Sequence, residues 1–460
     1  MWRALGCAVL IIISLFIANE AVYSRQTTSQ TVQLKEAARY LKEGEFDKAE
    51  QLLQTLSKTK ALPEAFEMLG LLRVKQQRLK EAESFFQSAI RLNPRLANAY
   101  VNLGYLYKQT NQPELSLRNF QTAATLLSNN SEPLFNIALL LADSRQFDKA
   151  IQVLEAIRIN ARPDDYWDLL SRLYLSAGNF PKAEDSLRKV LARKPDSIST
   201  LRQLSGVALK LNEPQRAWQY LGDAVRLAPN SPDLLYEFAQ LSLRNNLGQE
   251  AVIATRKALF LEPDRHDFLL FLGNALLNTA SFHDALTYLN QYVRLKPDDA
   301  SGQLSLGWAL YLEKDFDGAR KHLEECLRLS PDLIDAYYHL GMIAYETGDR
   351  THARDFFTKV VDRKSDHASA LLGLGMIYSS EQQYERARLS FEASARANGD
   401  EPKVHYQLAQ VYSRLGNQDA ARREQGLYAG AQKRVEERKK LSQSLPFSAA
   451  AIDRSKPNQH

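Results

Sequence analysis

The sequence predicts an all-α solenoid in which helix hairpins of one type follow one another along most of the chain. Glycine and proline are scarce, with 20 and 16 among 460 residues, so few positions require a turn or a broken element. Small residues recur with a period near 34, which is typical of a repeat architecture. Apolar residues are spaced three and four apart, as at Leu69, Leu72, Phe85, Phe86 and Ile90, which indicates helices rather than strands.

The composition excludes several classes of protein. A hydrophobic fraction of 45% and a charged fraction of 25% are typical of a folded soluble protein with a large core. The net charge of +5 is too small over this length to predict a nucleic-acid partner. Two cysteines, Cys7 and Cys326, cannot supply a disulfide framework or a thiolate metal site. The composition leaves open whether separate domains or one repeated unit fill the length.

The first residues resemble an export signal. Arg3 precedes an apolar run at residues 4–18, followed by small and polar residues. A run of this length is short for a membrane span and typical of a signal h-region. We therefore expect residues 1–24 to be a signal peptide, with an uncleaved signal anchor as the alternative. Either way the repeats are expected outside the cytoplasm, periplasmic or extracellular, or membrane-anchored. Contact with a membrane is expected only through residues 1–24, and only if they stay uncleaved.

Two small residues in each repeat justify the hairpin. One set recurs at steps of 33 or 34: Ala49, Ala82, Ser116, Ala150, Ala183, Ala217, Ala251, Ala285, Ala319, Ala353, Ala387 and Ala421. Twelve residues before each lies another: Ala37, Gly70, Gly104, Ala138, Ser171, Ser205, Ala239, Gly273, Gly307, Gly341, Gly375 and Ala409. Two antiparallel helices approach closely only where facing side chains are small, so each pair predicts the crossing point of a hairpin.

Two further positions complete the repeat. Four residues after the second small residue stands Leu or Phe in ten repeats of twelve, as at Phe86 and Phe391. This large side chain is expected to fill the space beside the crossing. Twelve residues after the second small residue, proline recurs at Pro94, Pro195, Pro229, Pro263, Pro297 and Pro331. Because proline cannot continue a helix interior, it predicts the end of the second helix.

These residues resemble tetratricopeptide repeats. The spacing Tyr100-x-x-Leu103-Gly104-x-x-Tyr107 reproduces the first-helix pattern of that family, and Trp167 begins a second copy. The resemblance implies a right-handed superhelix whose concave surface is built from first helices. The expected repeats span residues 30–62, 63–96, 97–130, 131–163, 164–197, 198–231, 232–265, 266–299, 300–333, 334–367, 368–401 and 402–435. Residues 436–442 are expected to end a capping helix and residues 443–460 to form a mobile tail.

No catalytic or metal site is predicted. The chain has no Walker phosphate-binding loop, no nucleophile elbow and no His-Glu-x-x-His among its eight histidines. Cys326 occupies a position that holds Ala, Val or Ser in other repeats, which favours a core residue over a nucleophile. We therefore expect no catalytic residue, no cofactor and no metal, and function must lie on a surface.

The expected surface is the concave groove of repeats seven to twelve, where the positions facing it become apolar and aromatic. Such a row suits an extended or amphipathic peptide segment. We name this set the groove row: Tyr236, Leu270, Leu304, Trp308, Tyr311, Tyr338, Met342, Tyr345, Leu372, Met376 and Tyr406. The alternative interpretation is that these side chains pack first helix against first helix and expose little surface.

The leading hypothesis is a non-enzymatic scaffold that binds one or more proteins, and no nucleic acid, in this groove. The array is similar in repeat type to that of the O-linked N-acetylglucosamine transferases, but it lacks their catalytic domain. Their asparagine ladder is matched only at Asn102 and Asn136. A noncatalytic subunit of a cell-envelope or polysaccharide export machine, with aromatics gripping glycan, is the second hypothesis. An enzyme with an unrecognised site is the least favoured.

Overall fold

A computed structural model describes residues 28–127 and 130–443. Across these residues the chain forms α-helices and one short 3-10 helix, with no β-strand. The predicted all-α fold is therefore confirmed. The expected signal segment, residues 1–24, lies outside the described residues, as does the predicted tail apart from its first residue, Gln443.

The chain divides into two compact units, Met1–Pro195 and Asp196–His460, which we name unit 1 and unit 2. The helices of unit 1 are α1 Thr28–Glu43, α2 Phe46–Lys60, α3 Pro63–Lys75, α4 Leu79–Leu92, α5 Ala97–Gln109, α6 Pro113–Leu126, α7 Glu132–Asp143, α8 Phe147–Glu155, α9 Tyr166–Ser176 and α10 Phe180–Arg193. Those of unit 2 are α11 Ile198–Lys210, α12 Pro214–Leu227, α13 Pro232–Arg244, α14 Gly248–Leu261, α15 His266–Asn278, α16 Phe282–Leu295, α17 Ala300–Leu312, α18 Phe316–Leu329, α19 Ile334–Glu346, α20 Arg350–Arg363, α21 Ala368–Ser380, α22 Tyr384–Ala397, α23 Pro402–Arg414 and α24 Gln418–Gln443.

Each odd-numbered helix is the first helix of a hairpin and is joined to its second helix by two or three residues. A connection this short makes consecutive helices antiparallel neighbours. The turn contains one residue in the left-handed region, such as Gly348 with φ 85° and Asn212 with φ 60°. Glycine and asparagine adopt this conformation readily. Ala280, with φ 57°, occupies the same position with a side chain that disfavours it.

The predicted crossing points are confirmed by the close approach of first-helix glycines to large side chains of the second helix. A Cβ atom added to Gly375 would lie 2.4 Å from Cε1 of Phe391, and one added to Gly70 would lie 2.4 Å from Cε1 of Phe86. Both phenylalanine rings are fully buried. Where serine replaces alanine, at Ser116, the buried hydroxyl donates a 2.7 Å hydrogen bond to the carbonyl of Gly104 on the facing helix. The substitution is therefore accommodated without an unsatisfied polar group.

The recurrent prolines end second helices as predicted. Each of the six second helices that precede such a proline ends two residues before it, as Leu92 precedes Pro94. Helix α8 differs because it ends at Glu155, after only 9 residues. The chain then forms a 3-10 helix, Ile159–Ala161, and reaches Pro163 before α9 begins. This proline stands thirteen rather than twelve residues after Ala150, so the local register of the fourth repeat is displaced.

Helix α24 is the longest, with 26 residues, and runs through the predicted capping segment 436–442. It packs on the preceding helix, and its buried side chains are Ala420, Ala421 and Ala431. Its remaining described side chains are polar or partly exposed, as expected of a helix that covers the end of a repeat array. Among the described helices none has the length and apolar character that crossing a bilayer requires.

Candidate partner-binding site

The groove row lies entirely on first helices of unit 2, from α13 to α23. Nine of its eleven side chains are partly buried, and Tyr406 is exposed, with 47% of its surface accessible. Tyr311 differs, because only 6% of its surface is accessible. Ten members therefore offer some surface to a partner, and Tyr311 offers almost none.

The partly buried members pack against the core on one side. Leu304 and Trp308 contact the cluster around Leu323 and Leu340, and Met342 contacts both this cluster and the next. Leu372 and Met376 pack in the same way further along unit 2. The same side chains thus join one hairpin to the next and remain partly open, so the two sequence interpretations of this row are not exclusive.

Trp308 lies in a stack of three rings. Its centroid is 4.9 Å from that of Tyr311, with 12° between the planes, and 4.2 Å from that of His339, with 25° between the planes. Burial lowers the pKa of His339 to about 4, so its imidazole is neutral at pH 7. Because Tyr311 is buried and stacks on Trp308, its role is to support the indole ring. His339 was not predicted, because its position holds unrelated residue types in the other repeats.

Five members of the groove row surround one cavity of about 240 Å³. They come from the consecutive first helices α19 and α21: Tyr338, Met342, Tyr345, Leu372 and Met376. Gly373 and Phe357 complete its apolar part, and a polar edge includes Glu346, Ser369, Asn398, Glu401 and Lys403. The polar edge was not predicted, since it combines residues at the ends of four helices, α19, α21, α22 and α23.

The two tyrosines of this cavity are held by neighbouring side chains. The Tyr338 ring lies 6.0 Å from that of Phe357 and 5.1 Å from that of His367, measured between centroids. Burial raises the pKa of the Tyr338 phenol. The Arg350 guanidinium lies 4.0 Å from the centroid of the Tyr345 ring and donates a hydrogen bond to the Tyr345 carbonyl. Both rings are thus in contact with neighbouring side chains of the chain itself.

The other members of the row are not part of this cavity. Tyr236 packs against Phe268 and Phe271, with ring centroids 4.8 and 5.2 Å apart. Tyr406 lines a separate, wider cavity of about 750 Å³ together with Tyr428 of α24. The structure therefore gathers five predicted residues at one place and spreads the remainder along unit 2.

The two ladder-like asparagines of unit 1 are engaged within the chain. Asn102 donates a 2.9 Å hydrogen bond to Oε1 of Glu67, and Asn136 donates a 2.9 Å hydrogen bond to the hydroxyl of Tyr105. Glu67 is 3% exposed, and burial raises the pKa of its carboxyl to about 8. Both amides thus serve packing between first helices rather than standing free to bind a peptide backbone.

Cys326 and the possible metal-ligating side chains were the remaining candidates for a chemical role. Cys326 is buried, and burial raises the pKa of its thiol to about 11, which suppresses the nucleophilic thiolate. Within residues 28–127 and 130–443, no three His, Cys, Asp or Glu side chains are grouped closely enough to share a metal ion. The interpretation of Cys326 as a core residue is supported by this burial.

The close helix crossings, the left-handed turns and the row of first-helix side chains define a helical repeat protein of the scaffold class. Comparison with known families then specifies the repeat. Models of the tetratricopeptide repeat match residues 34–97, 135–198, 270–334 and 338–402, and related models of the same repeat match residues 97–129 and 402–424. The matches cover more than half of the chain, so the protein belongs to the tetratricopeptide repeat family. Members of this family are generally noncatalytic, and the chain is a scaffold for protein–protein interaction.

Individual relatives are distant. The chain is 23% identical to Superkiller protein 3 of Saccharomyces cerevisiae over 163 residues, 35% of this chain and 11% of that protein. It is 24% identical to the BBSome complex member BBS4 of Bos taurus over 154 residues, 33% of this chain and 30% of that protein. The matches thus span less than a third of either relative. A solved tetratricopeptide repeat protein from Parabacteroides merdae superimposes with a TM-score of 0.47 and 15% identity, covering 54% of this chain and 98% of that one.

Proposed function

We propose that the groove row binds an extended or amphipathic segment of a partner protein, with the 240 Å³ cavity at its centre. The proposal rests chiefly on one observation: five side chains predicted from the sequence surround this single cavity. Small-molecule sites usually enclose about 300–1,000 Å³, so this cavity is better matched to one or two side chains of a peptide. Tyrosine supplies contact area, and methionine adapts to the shape of an apolar side chain.

The direct test is peptide affinity measured on variants of the groove row. Peptides selected by display on the chain from residue 25 onward would be measured against Trp308→Ala, Tyr338→Ala and Tyr345→Ala. Phe260→Ala is the matched control, because Phe260 lies on a second helix with 74% of its surface exposed. We expect at least one groove variant to lose affinity by about 2 kcal/mol or more, and the control to bind normally. Equal affinity in all four variants would reject the groove row as the site.

The glycan alternative requires an aromatic ring with an open face. A sugar ring binds by stacking on the open face of an aromatic side chain, whereas Trp308 already stacks on Tyr311 and His339. The geometry therefore favours the peptide over a glycan gripped by an envelope or polysaccharide export machine. A glycan array on the purified chain separates the two, since saturable glycan binding that is lost in Trp308→Ala would support the alternative.

We also propose that the chain is exported and acts without catalysis. The support for export is the sequence of residues 1–24, with Arg3 before an apolar run. Sequencing the N terminus of the natural protein tests it. A start near residue 25 supports a cleaved signal, and an intact start in the membrane fraction supports the anchor. An intact start in the cytoplasmic fraction would contradict export.

A further inference from the structure

Unit 1 contains a cavity where helix α8 ends early. The second helices α4, α6 and α10 have 14 residues each, whereas α8 has 9. Five more residues of helix would extend α8 by about 7.5 Å, but the chain instead turns through Ile159–Ala161 to Arg162. A cavity of about 270 Å³ lies here, lined by Glu155 at the end of α8, by Arg162 and by side chains of α9 and α10. We name it the Trp167 cavity.

Two cations lie against the ring that gives the cavity its name. The Arg162 guanidinium carbon is 4.9 Å from the centroid of Trp167, and Nζ of Lys189 is 3.9 Å from it. The same guanidinium carbon is 4.5 Å from the centroid of the Tyr166 ring. The aromatic faces thus hold both cations at the cavity wall by cation–π attraction.

Neither cation has an acidic partner among the described residues. The Nε atom of Arg162 is buried and has no hydrogen-bond acceptor. A guanidinium carries five N–H donors, and a buried donor without an acceptor is unfavourable in the free protein. Lys189 forms no ion pair with any described acid, although it contacts Trp167. A ligand could supply the acceptor that Arg162 lacks and pair with the exposed ammonium of Lys189.

The other charged side chains of the cavity decide which anion fits. Glu155 is already used, because it accepts a hydrogen bond from the Tyr174 hydroxyl and pairs with Lys182 at 3.5 Å. Asp185 also lines the cavity, one helical turn before Lys189. The charges of Arg162, Lys189 and Asp185 therefore sum to one positive charge. A single carboxylate balances this charge, whereas a doubly charged phosphate would leave one excess negative charge beside Asp185.

We propose that the Trp167 cavity binds a carboxylate of an acidic peptide segment. Arg162 presents its planar fork of donors to the carboxylate, a geometry that favours paired hydrogen bonds. Lys189 contributes a second positive charge, and the Trp167 ring holds both cations at the cavity wall. The site lies in unit 1 and uses no member of the groove row, so it is a second protein-contact site independent of the first.

The test uses the full chain from residue 25 onward and two matched peptides, N-acetyl-tetraglutamate amide and N-acetyl-tetraglutamine amide. Binding is followed by tryptophan fluorescence, and Trp167→Phe identifies the signal of the cavity. We expect the glutamate peptide to bind at least about tenfold more tightly than the glutamine peptide, and Lys189→Gln to weaken it about tenfold. Lys80→Gln, which removes an exposed lysine of α4, is the charge-matched control and should bind normally.

Further arms keep the proposal open to rejection. Arg162→Lys retains the positive charge and most of the side-chain volume. We expect this variant to bind the glutamate peptide more weakly, because the planar fork of guanidinium donors is lost. Tyr338→Ala, in the groove row, should leave the glutamate peptide unaffected. Equal binding of both peptides, or unchanged binding in Lys189→Gln, would reject the cavity as a carboxylate site. Competition by inorganic phosphate as effective as that by the glutamate peptide would overturn the carboxylate assignment.

Discussion

Replacing Gly375 with alanine perturbs the closest type of contact in the fold, the crossing of two helices within a hairpin. A Cβ atom at residue 375 would lie 2.4 Å from Cε1 and 2.5 Å from Cδ1 of Phe391. Non-bonded carbon atoms are normally about 3.5–4.0 Å apart, so the ring or the helix would have to move by about 1 Å. The ring is fully buried, so its movement disturbs the packing of α21 and α22.

The expected magnitude follows from two opposing effects. Overpacking a core usually costs about 1–3 kcal/mol, while alanine in a helix gains about 0.5–1 kcal/mol over glycine. The midpoints of these ranges leave Gly375→Ala destabilised by about 1 kcal/mol. Gly206 is the matched control, because it lies in first helix α11 and nothing stands within 4 Å of its added Cβ. There only the helix preference acts, and Gly206→Ala should stabilise by about 0.5–1 kcal/mol.

Urea unfolding followed by circular dichroism measures both changes. Because a repeat array need not unfold in one two-state step, amide hydrogen exchange in α21 and α22 should accompany it. Protection in these helices should fall in Gly375→Ala and remain in Gly206→Ala. A Gly375→Ala protein as stable as the wild type, or changes of the same sign at both glycines, would refute the close crossing.

Three further substitutions test other parts of the fold by the same unfolding measurement. Glu67→Gln should remove a pH-dependent loss of stability. Because burial raises the folded pKa of Glu67 to about 8, above the 4.5 of a free glutamate carboxyl, wild-type stability should fall by about 1.4 kcal/mol per pH unit between these values. A parallel fall in the variant would contradict the burial of Glu67. Ser116→Ala removes the donor to the Gly104 carbonyl and restores the usual residue of the repeat, so the change should stay within about 1 kcal/mol; a larger loss would show that this bond is essential. Ala280→Gly relieves a left-handed alanine and should stabilise by about 1 kcal/mol, whereas destabilisation would argue against the φ of 57°.

The repeat pattern predicts the fold well because the same contact recurs in every hairpin. A small residue facing Phe or Leu, as Gly375 faces Phe391, is legible in the sequence since both positions return at a fixed spacing. The proline that ends a second helix is legible for the same reason. Contacts that depend on the backbone of a single repeat cannot be predicted in this way, because they do not recur.

The contacts within the two candidate sites could not be predicted from the repeat pattern. The spacing of Trp308 and Tyr311 places them on one face of α17. The sequence pattern does not reveal that His339 of the next hairpin also stacks on Trp308, or that Tyr311 is buried. The Trp167 cavity depends on the early end of α8. Its only signal in the sequence is a displaced proline, Pro163, and Arg162 becomes notable only when its Nε is found buried without an acceptor.

The most direct test of the central claim is site-specific photocrosslinking in cells that produce the natural partner. A photoreactive phenylalanine would replace Tyr345 or Leu372 at the 240 Å³ cavity and, as a control, Leu389 on second helix α22, which is 55% exposed. The account predicts that both cavity positions crosslink to a segment of the same protein and that position 389 does not. Crosslinking at position 389 alone, or of unrelated proteins at the two cavity positions, would contradict it.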